Sequence, residues 1–565
     1  MPLTFKGGFH VEEHKHTAKC QTVRMPAPAR VYIPLQQHIG APAVCTVKVG
    51  DRVLRGQKLG EVNGLGAPVH SSVSGIVEKI DNVTLPNGTK SMAVIIANDG
   101  EDALDPSVAP LGRRLGDVPS EEITAIIREA GITGMGGASF PTHAKLSSAM
   151  GKVETLIVNC AECEPYITAD HRLLLEHPAS VINGTKILLK ALGLRHGIIA
   201  VEDNKRGAID KLEALLGEGG LISVKELQTK YPQGDERQLI YALTGKELPA
   251  GKLPSEVGCV IFNAATTAAV FTAFAKGLPL IERIVTVDGD CVNKPGNVIV
   301  PIGTPMIDVI NFCGGFKGEP KKIIAGGPMM GNAVWDVNAP IVKGSSAILC
   351  FSAKLAKQSE HVACIRCGRC VEACPMHLMP AYLAQFAAAD RLDACEKWDI
   401  LSCVECGTCS YVCPGQVPIV QYIRAAKTRV NEEKKAAKAR EEERAKLQAE
   451  AAAKAEETAE ASPEPEKAVP ALTKEELRAA KAAEKARKAA EKAAAKAEAA
   501  AAKAAKLAAK EAARAEALSA DEEEAALEDE AVMPEDVSTS EEAPHPVEHS
   551  EPAEEEAEAP SADEE

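Results

Sequence analysis

Cys364-Ile-Arg-Cys-Gly-Arg-Cys-Val-Glu-Ala-Cys-Pro375 and Cys403-Val-Glu-Cys-Gly-Thr-Cys-Ser-Tyr-Val-Cys-Pro414 decide how the rest of the chain is read. Each block spaces its cysteines C-x2-C-x2-C-x3-C-P, and the second repeats the first at an offset of 39 residues. Thiols this closely spaced suit metal better than disulfides. A zinc ribbon takes two CxxC pairs per ion. Three cysteines at i, i+3 and i+6, with a fourth before proline, have instead the spacing of the bacterial [4Fe–4S] run, whose fourth cysteine ligates the other cluster. One cluster is therefore assigned to Cys364, Cys367, Cys370 and Cys413, the other to Cys403, Cys406, Cys409 and Cys374. The other nine cysteines lack ligand spacing and are expected as buried free thiols.

Of the 565 residues, 64 are Lys or Arg and 80 Asp or Glu, a net charge of −16. The excess lies wholly in the tail, where residues 425–565 hold 22 basic and 38 acidic side chains. Residues 1–424 are neutral, which excludes a nucleic-acid binder dependent on a basic face. The Ala/Lys/Glu-rich stretch 429–520 predicts a solvated helix without a packed apolar stripe, and the acidic 521–565 predicts disorder. The polar start, Met1 to His16, predicts no secretory leader. The uncharged run Val257 to Ala275 contains Asn263, Thr266, Thr267 and Thr272, and reads as a buried strand-turn-helix rather than a membrane span.

Iron–sulfur clusters carry single electrons, so a donor site is sought upstream. Gly131-Ile-Thr-Gly-Met-Gly-Gly-Ala-Ser-Phe-Pro-Thr-His-Ala-Lys145 is a glycine-rich loop leading into a helix, an arrangement that lets main-chain N–H groups approach phosphate. Glu154-Thr-Leu-Ile-Val-Asn-Cys-Ala-Glu-Cys-Glu-Pro165 reads as a buried strand entering a polar turn with Asn159, Glu162 and Glu164. Tyr231-Pro-Gln-Gly-Asp-Glu-Arg237 is a second turn, with Gly234, Asp235 and Glu236. Alternation of helix, strand and turn between them predicts a doubly wound α/β sheet. Val44 to Gly60 and Val69 to Gly75 read as short strands joined by glycine turns. They are similar to half-motifs of biotinyl/lipoyl domains, but Glu61 to Val69 lacks the lysine of a swinging carrier, so docking is expected; His70 is expected to be structural.

The loop GMGGASFPTHAK resembles the GxGGAGFPTxxK flavin loop of the NADH-binding flavoprotein subunit of respiratory complex I. NCAECEP is similar to that family's NADEGEP, YPQGDE to YxCGEE, and Ile261 to Val270 to VNNVETLANV, in the same order along the chain. With the biotinyl-like segment, the two clusters and the tail, residues 1–424 resemble the C component of the Rnf ion-translocating electron-transport complex. The resemblance implies FMN held by Gly134, Gly136, Gly137, Lys145, Asn159, Glu162, Asn263 and Thr266. It implies NADH near Phe140, contacting Glu164, Asp235 and Glu236 beside Gly234. Ala161 and Cys163 stand where the family has aspartate and glycine.

The implied architecture is multidomain α/β: a barrel-sandwich region at 1–115, a Rossmann-like FMN/NADH core at 116–280 and an SLBB β-grasp domain at 281–345. An α-helical double-cluster ferredoxin domain at 346–428 precedes the tail. The implied protein is an NADH-oxidising electron-entry subunit passing electrons through FMN and two [4Fe–4S] clusters to or from ferredoxin. It would lie peripherally on the cytoplasmic face of the bacterial inner membrane, held by membrane-embedded and iron–sulfur sister subunits. Hydride transfer needs no side-chain acid or base, so no catalytic residue is expected. The alternatives are a soluble diaphorase-type NADH dehydrogenase subunit and a non-catalytic iron–sulfur adaptor.

Overall fold

The structure, a computed structural model, describes residues 2–217, 219–357 and 362–460. The expectations for the tail beyond 460 lie outside the described residues. The chain divides into two units, Met1–Ala449 and Glu450–Glu565, and the fold and site lie in the first.

Four strands form the central parallel sheet: β1 (Thr155–Cys160), β2 (Gly197–Glu202), β3 (Ile222–Leu227) and β4 (Cys259–Asn263), in the order β3-β2-β1-β4. Leu156, Ile157 and Val158 are fully buried, as are Ile199, Ala200 and Val201. Strands buried on both faces need helices on both. The helices that concern the site are α1 (Thr142–Ala149), α2 (Ala169–Glu176), α3 (Pro178–Leu192), α4 (Glu236–Thr244) and α5 (Ala264–Lys276). The apolar run from Val257 thus becomes β4 and α5, as its polar punctuation predicts. Proline at the first position of α3 and a left-handed Gly193 after its end set its limits. Buried Gly184 lets α3 approach α5 so closely that a Cβ there would lie 2.0 Å from the Thr267 carbonyl oxygen.

The barrel-sandwich part has a four-stranded antiparallel sheet (Arg30–Pro34, Lys90–Asn98, Gly75–Thr84, Arg52–Val53) and a three-stranded one (Val44–Cys45, Lys58–Glu61, Val69–His70). Its tip is docked. The buried Lys343 ammonium donates to the carbonyls of Pro68 and Gly131, both at 2.6 Å, and Ser72 donates to the Ile302 carbonyl. His70 is buried in this contact, and desolvation holds its pKa down at about 3.

A six-stranded sheet follows the core, in the order Thr22–Arg24, Gly296–Pro301, Glu282–Asp288, Ala347–Phe351, Lys322–Ala325, Asn332–Val334. It corrects one expected boundary. Ala347–Phe351 is an interior strand of this sheet, not the start of the cluster domain expected from 346. Thr22–Arg24 pairs in parallel with Asn297–Ile299, and Leu3 and Phe9 bridge to Leu227 and Tyr231, so the first 24 residues also pair with this sheet and with the core. Non-local pairing of this kind has no signature in either segment alone.

The cluster region consists of short helices around Leu383, Cys395, Ile400 and Ile423, and ends in α6 (Ile419–Glu460), which runs through the boundary expected at 428. Among the described residues, no helix is long and apolar enough to cross a membrane. The close α3–α5 contact generates a test: Gly184→Ala should destabilise the chain by about 1–3 kcal/mol through overpacking, read as a lowered denaturation midpoint with unchanged secondary structure.

Candidate functional site

The two cysteine blocks exchange their fourth members. Cys364, Cys367, Cys370 and Cys413 line one cavity of about 420 Å³. Cys374, Cys403, Cys406 and Cys409 line a second, narrower one. In each block the glycine inside the motif, Gly368 or Gly407, adopts positive φ and opens a one-turn helix carrying the third cysteine. The following chain then leads the fourth cysteine to the other cavity. Cys364 and Cys367 are exposed, whereas Cys374, Cys406 and Cys409 are buried, so one site is open and the other enclosed.

The donor set fits iron–sulfur clusters. All eight thiols are free. Burial pushes the Cys403 thiol up to about 11 and raises Cys374 and Cys406 as well. A bare thiolate is disfavoured there, and a cationic centre supplies the compensation. In each set the four thiols line one cavity, the arrangement that a multi-iron cluster needs.

At the carboxyl edge of the parallel sheet, Asn159 on β1 and Asn263 on β4 are register partners. Asn263 caps α5 by accepting from Ala265 N–H at 2.9 Å, and donates to the Asp170 carboxylate at 2.6 Å. The glycine loop is pinned above it. Gly134 N–H donates to the Phe140 carbonyl, and Met135 N–H to the Thr266 hydroxyl at 2.9 Å. A Cβ at Gly136 would press against Asn263 at 3.0 Å, while the space beside Gly137 is open. Phe140 is 37% exposed at the loop's end, and Lys145 on α1 pairs with Glu236 on α4. The side-chain amide of Gln233 is buried, with neither polar atom partnered. A glycine cradle with an open rim at Gly137 and Phe140 fits a flavin.

Several side chains expected to touch ligand have other partners. The Glu162 carboxylate accepts from Asp170 and His171 N–H at the start of α2. Glu164 accepts from Met329 and Met330 N–H at 3.1 and 2.9 Å, under a loop of the six-stranded sheet. Asp235 caps α4. Asn159 donates to the Gly234 carbonyl and accepts from Ala161 N–H. These groups hold the loops in place, so Glu162 and Glu164, expected at flavin and nicotinamide, are each already paired with two backbone N–H groups. Cys163, bulkier than the family's glycine, is accommodated because Gly234 lies against it, its N–H 3.4 Å from the sulfur. Two further contacts carry no signal in the sequence, one from Lys15, which lies in no motif, and one from Tyr231, whose motif gives no sign of this partner. The Lys15 ammonium donates to the carbonyls of Glu162, Glu164 and Ile167 at 2.7–2.8 Å. The Tyr231 hydroxyl donates to the Cys406 carbonyl at 2.7 Å.

Comparison with known proteins agrees with this arrangement. Residues 3–101 match the RnfC barrel sandwich hybrid domain, 127–272 the Nuo51 FMN-binding domain, 284–333 the SLBB domain and 363–418 the 4Fe-4S dicluster domain. An FMN-binding core joined to a dicluster module defines an iron–sulfur flavoprotein of the oxidoreductases. The chain is 44% identical over 430 residues to the C component of the Na(+)-translocating ferredoxin:NAD(+) oxidoreductase complex of Acetobacterium woodii, covering 76% of this chain and 97% of that one. It is 44% identical to the proton-translocating counterpart of Clostridium ljungdahlii (76% and 94% covered). It is 42% identical to the C component of the ion-translocating oxidoreductase complex of Rhodobacter capsulatus (76% and 84%). The chain belongs to this RnfC family, the C components of Rnf-type ion-translocating oxidoreductase complexes. Its cofactors are FMN and two [4Fe–4S] clusters, and its partners include the other subunits of such a complex.

Burial raises the Glu164 carboxyl from 4.5 to about 7 against the pull of its two N–H donors. A folded pKa above the unfolded one means the contribution is fully present below about pH 4.5 and is lost as pH rises through about 7. Glu164→Gln should therefore flatten part of the fall in stability across that window, measured as denaturant midpoint against pH for variant and parent.

Proposed function

We propose that the chain is the NADH-oxidising entry subunit of its complex, on the cytoplasmic face of the bacterial inner membrane, exchanging electrons with ferredoxin through its sister subunits. FMN and the clusters, when bound, supply the conversion of two-electron nicotinamide chemistry into single-electron transfer. The chain's own residues do the rest. Gly136, Gly137 and the start of α1 offer main-chain N–H groups and a helix N-terminus to a flavin phosphate, while Gly134 and Met135 fix the loop through their own N–H bonds. Phe140 provides an apolar face at the open rim, and the Lys145–Glu236 pair supplies polar groups beside it. Gly234, Asp235 and Glu236 belong to the turn that closes the pocket, and Asn159, Asn263 and Thr266 fix its floor. Glu162 and Glu164 act one step back, by holding α2 and the loop at Met329.

The observation that carries this reading is the seating of the enclosed cysteine site on the core. Tyr231 donates to the Cys406 carbonyl, Gln238 to the Pro375 carbonyl, and a Cβ at Gly407 would stand 3.0 Å from the Met329 carbonyl. The Cys374/Cys403/Cys406/Cys409 site is thus the one adjoining the flavin core. The site with exposed Cys364 and Cys367 faces outward, where a partner subunit takes or gives the electron. Membership of a translocating complex, together with described helices unable to span a bilayer, supports a peripheral position in which ion movement belongs to sister subunits.

Anaerobically purified chain should contain about eight irons with matching sulfide and one FMN, and NADH should reduce both chromophores. Cys406→Ala should keep FMN and its reduction by NADH while losing NADH-driven reduction of the outward cluster, followed by freeze-quench EPR. A chain with iron but no flavin, and no response to NADH, leaves the adaptor alternative.

A further inference from the structure

Tyr231 begins the turn that the flavoprotein resemblance associates with nucleotide binding, yet its polar atom is committed to the cluster region. The side chain is 1% exposed, and its hydroxyl donates to the carbonyl of Cys406 at 2.7 Å. Its backbone pairs in both directions with Phe9, at 2.8 and 2.9 Å. The neighbouring Gly8 N–H donates to the Ala373 carbonyl at 3.1 Å. A Cβ at Gly7, whose φ is +77°, would lie 2.8 Å from the Cys374 carbonyl. Tyr231 therefore grips one ligand segment directly and the other through residues 7–9. Cys374 and Cys406 come from different blocks, so neither block alone fixes their relative placement.

We propose that Tyr231 is a positioning residue for the Cys374/Cys403/Cys406/Cys409 cluster, its hydroxyl fixing the Cys406–Gly407 peptide and through it the reduction potential of that cluster. In a trans peptide the carbonyl and the next N–H point in opposite directions. Pinning the Cys406 oxygen therefore also fixes the Gly407 N–H, and both residues line the cavity. Cluster potentials respond to hydrogen bonding and exposure at the sulfurs, which such outer contacts set. The inference rests on the electron-entry reading but concerns a property that reading leaves open.

The test is Tyr231→Phe in the full chain, purified anaerobically and titrated by EPR. Iron, FMN and the KM for NADH should match the parent. The midpoint of one cluster should move, changing its reduced-to-oxidised ratio at fixed poise by about two- to tenfold, with the other unmoved. Tyr32→Phe, which removes a hydroxyl from strand Arg30–Pro34 of the barrel sandwich, should move neither. A fully loaded Tyr231→Phe with both midpoints at parent values overturns the proposal. So does a changed KM without a changed midpoint, which would place Tyr231 at the nucleotide. If the variant loses iron, reconstitution with iron and sulfide precedes the same titration and the same criteria apply. Parent chain without iron or flavin would instead overturn the electron-entry reading itself.

Discussion

The parallel pairing of β1 with β4, which sets Asn159 beside Asn263, is the constraint from which the site is built. Ligands of open α/β sheets bind beyond the carboxyl ends of the strands, and these two asparagines end adjacent strands. Each reaches a different loop: Asn159 the turn at Gly234, and Asn263 the start of α5 and, through Asp170, the start of α2. Gly136 rests on Asn263, and Met135 hangs from Thr266 one turn further along α5. A one-residue slip between β1 and β4 would carry these loops out of register together.

Burying so many polar groups under the loops requires each to find a partner. Glu202 and Lys205, with almost no exposed side chain, pair with each other. Lys15 arrives from the N-terminal segment and collects three carbonyls of the Glu162–Ile167 turn. Desolvation lowers its pKa, opposed by the Glu162 charge, while the same burial raises Glu162 to about 7. The N-terminal residues are therefore part of the floor of the site. They bind the core at Leu227, Tyr231 and the turn at Glu162, and the β-grasp sheet at Asn297, joining two modules that lie far apart in sequence.

Legibility of the sequence followed the range of each interaction. The cysteine sets were readable because ligand spacing is local and the exchange of fourth cysteines follows from the repeat; the structure gathers the same two sets around separate cavities. The strand-turn-helix at Cys259–Lys276 and the docked, lysine-free tip were readable from polar punctuation and from the absence of a carrier side chain. Glu164 was not, because its partners Met329 and Met330 are about 165 residues away and are backbone amides, which carry no side-chain signature. For the same reason Ala347–Phe351 was placed in the wrong module: an apolar strand does not declare its sheet.

Asymmetry between the two cysteine sites gives the molecule a direction in space. The enclosed set adjoins the turn at Tyr231–Glu236, the loop at Met329 and the N-terminal glycines, so it is the set packed on the flavin-binding core. The other set has two ligands at the surface, next to exposed Ile365 and the ring cluster of Tyr382, Phe386 and Trp398. A low-dielectric, hydrogen-bonded site suits a carrier exchanging electrons within one chain. An exposed site with apolar and aromatic neighbours suits exchange across an interface, where the partner completes the burial. On the proposed electron-entry reading, an inner and an outer site let the flavin pocket stay within the chain while electrons reach its surface.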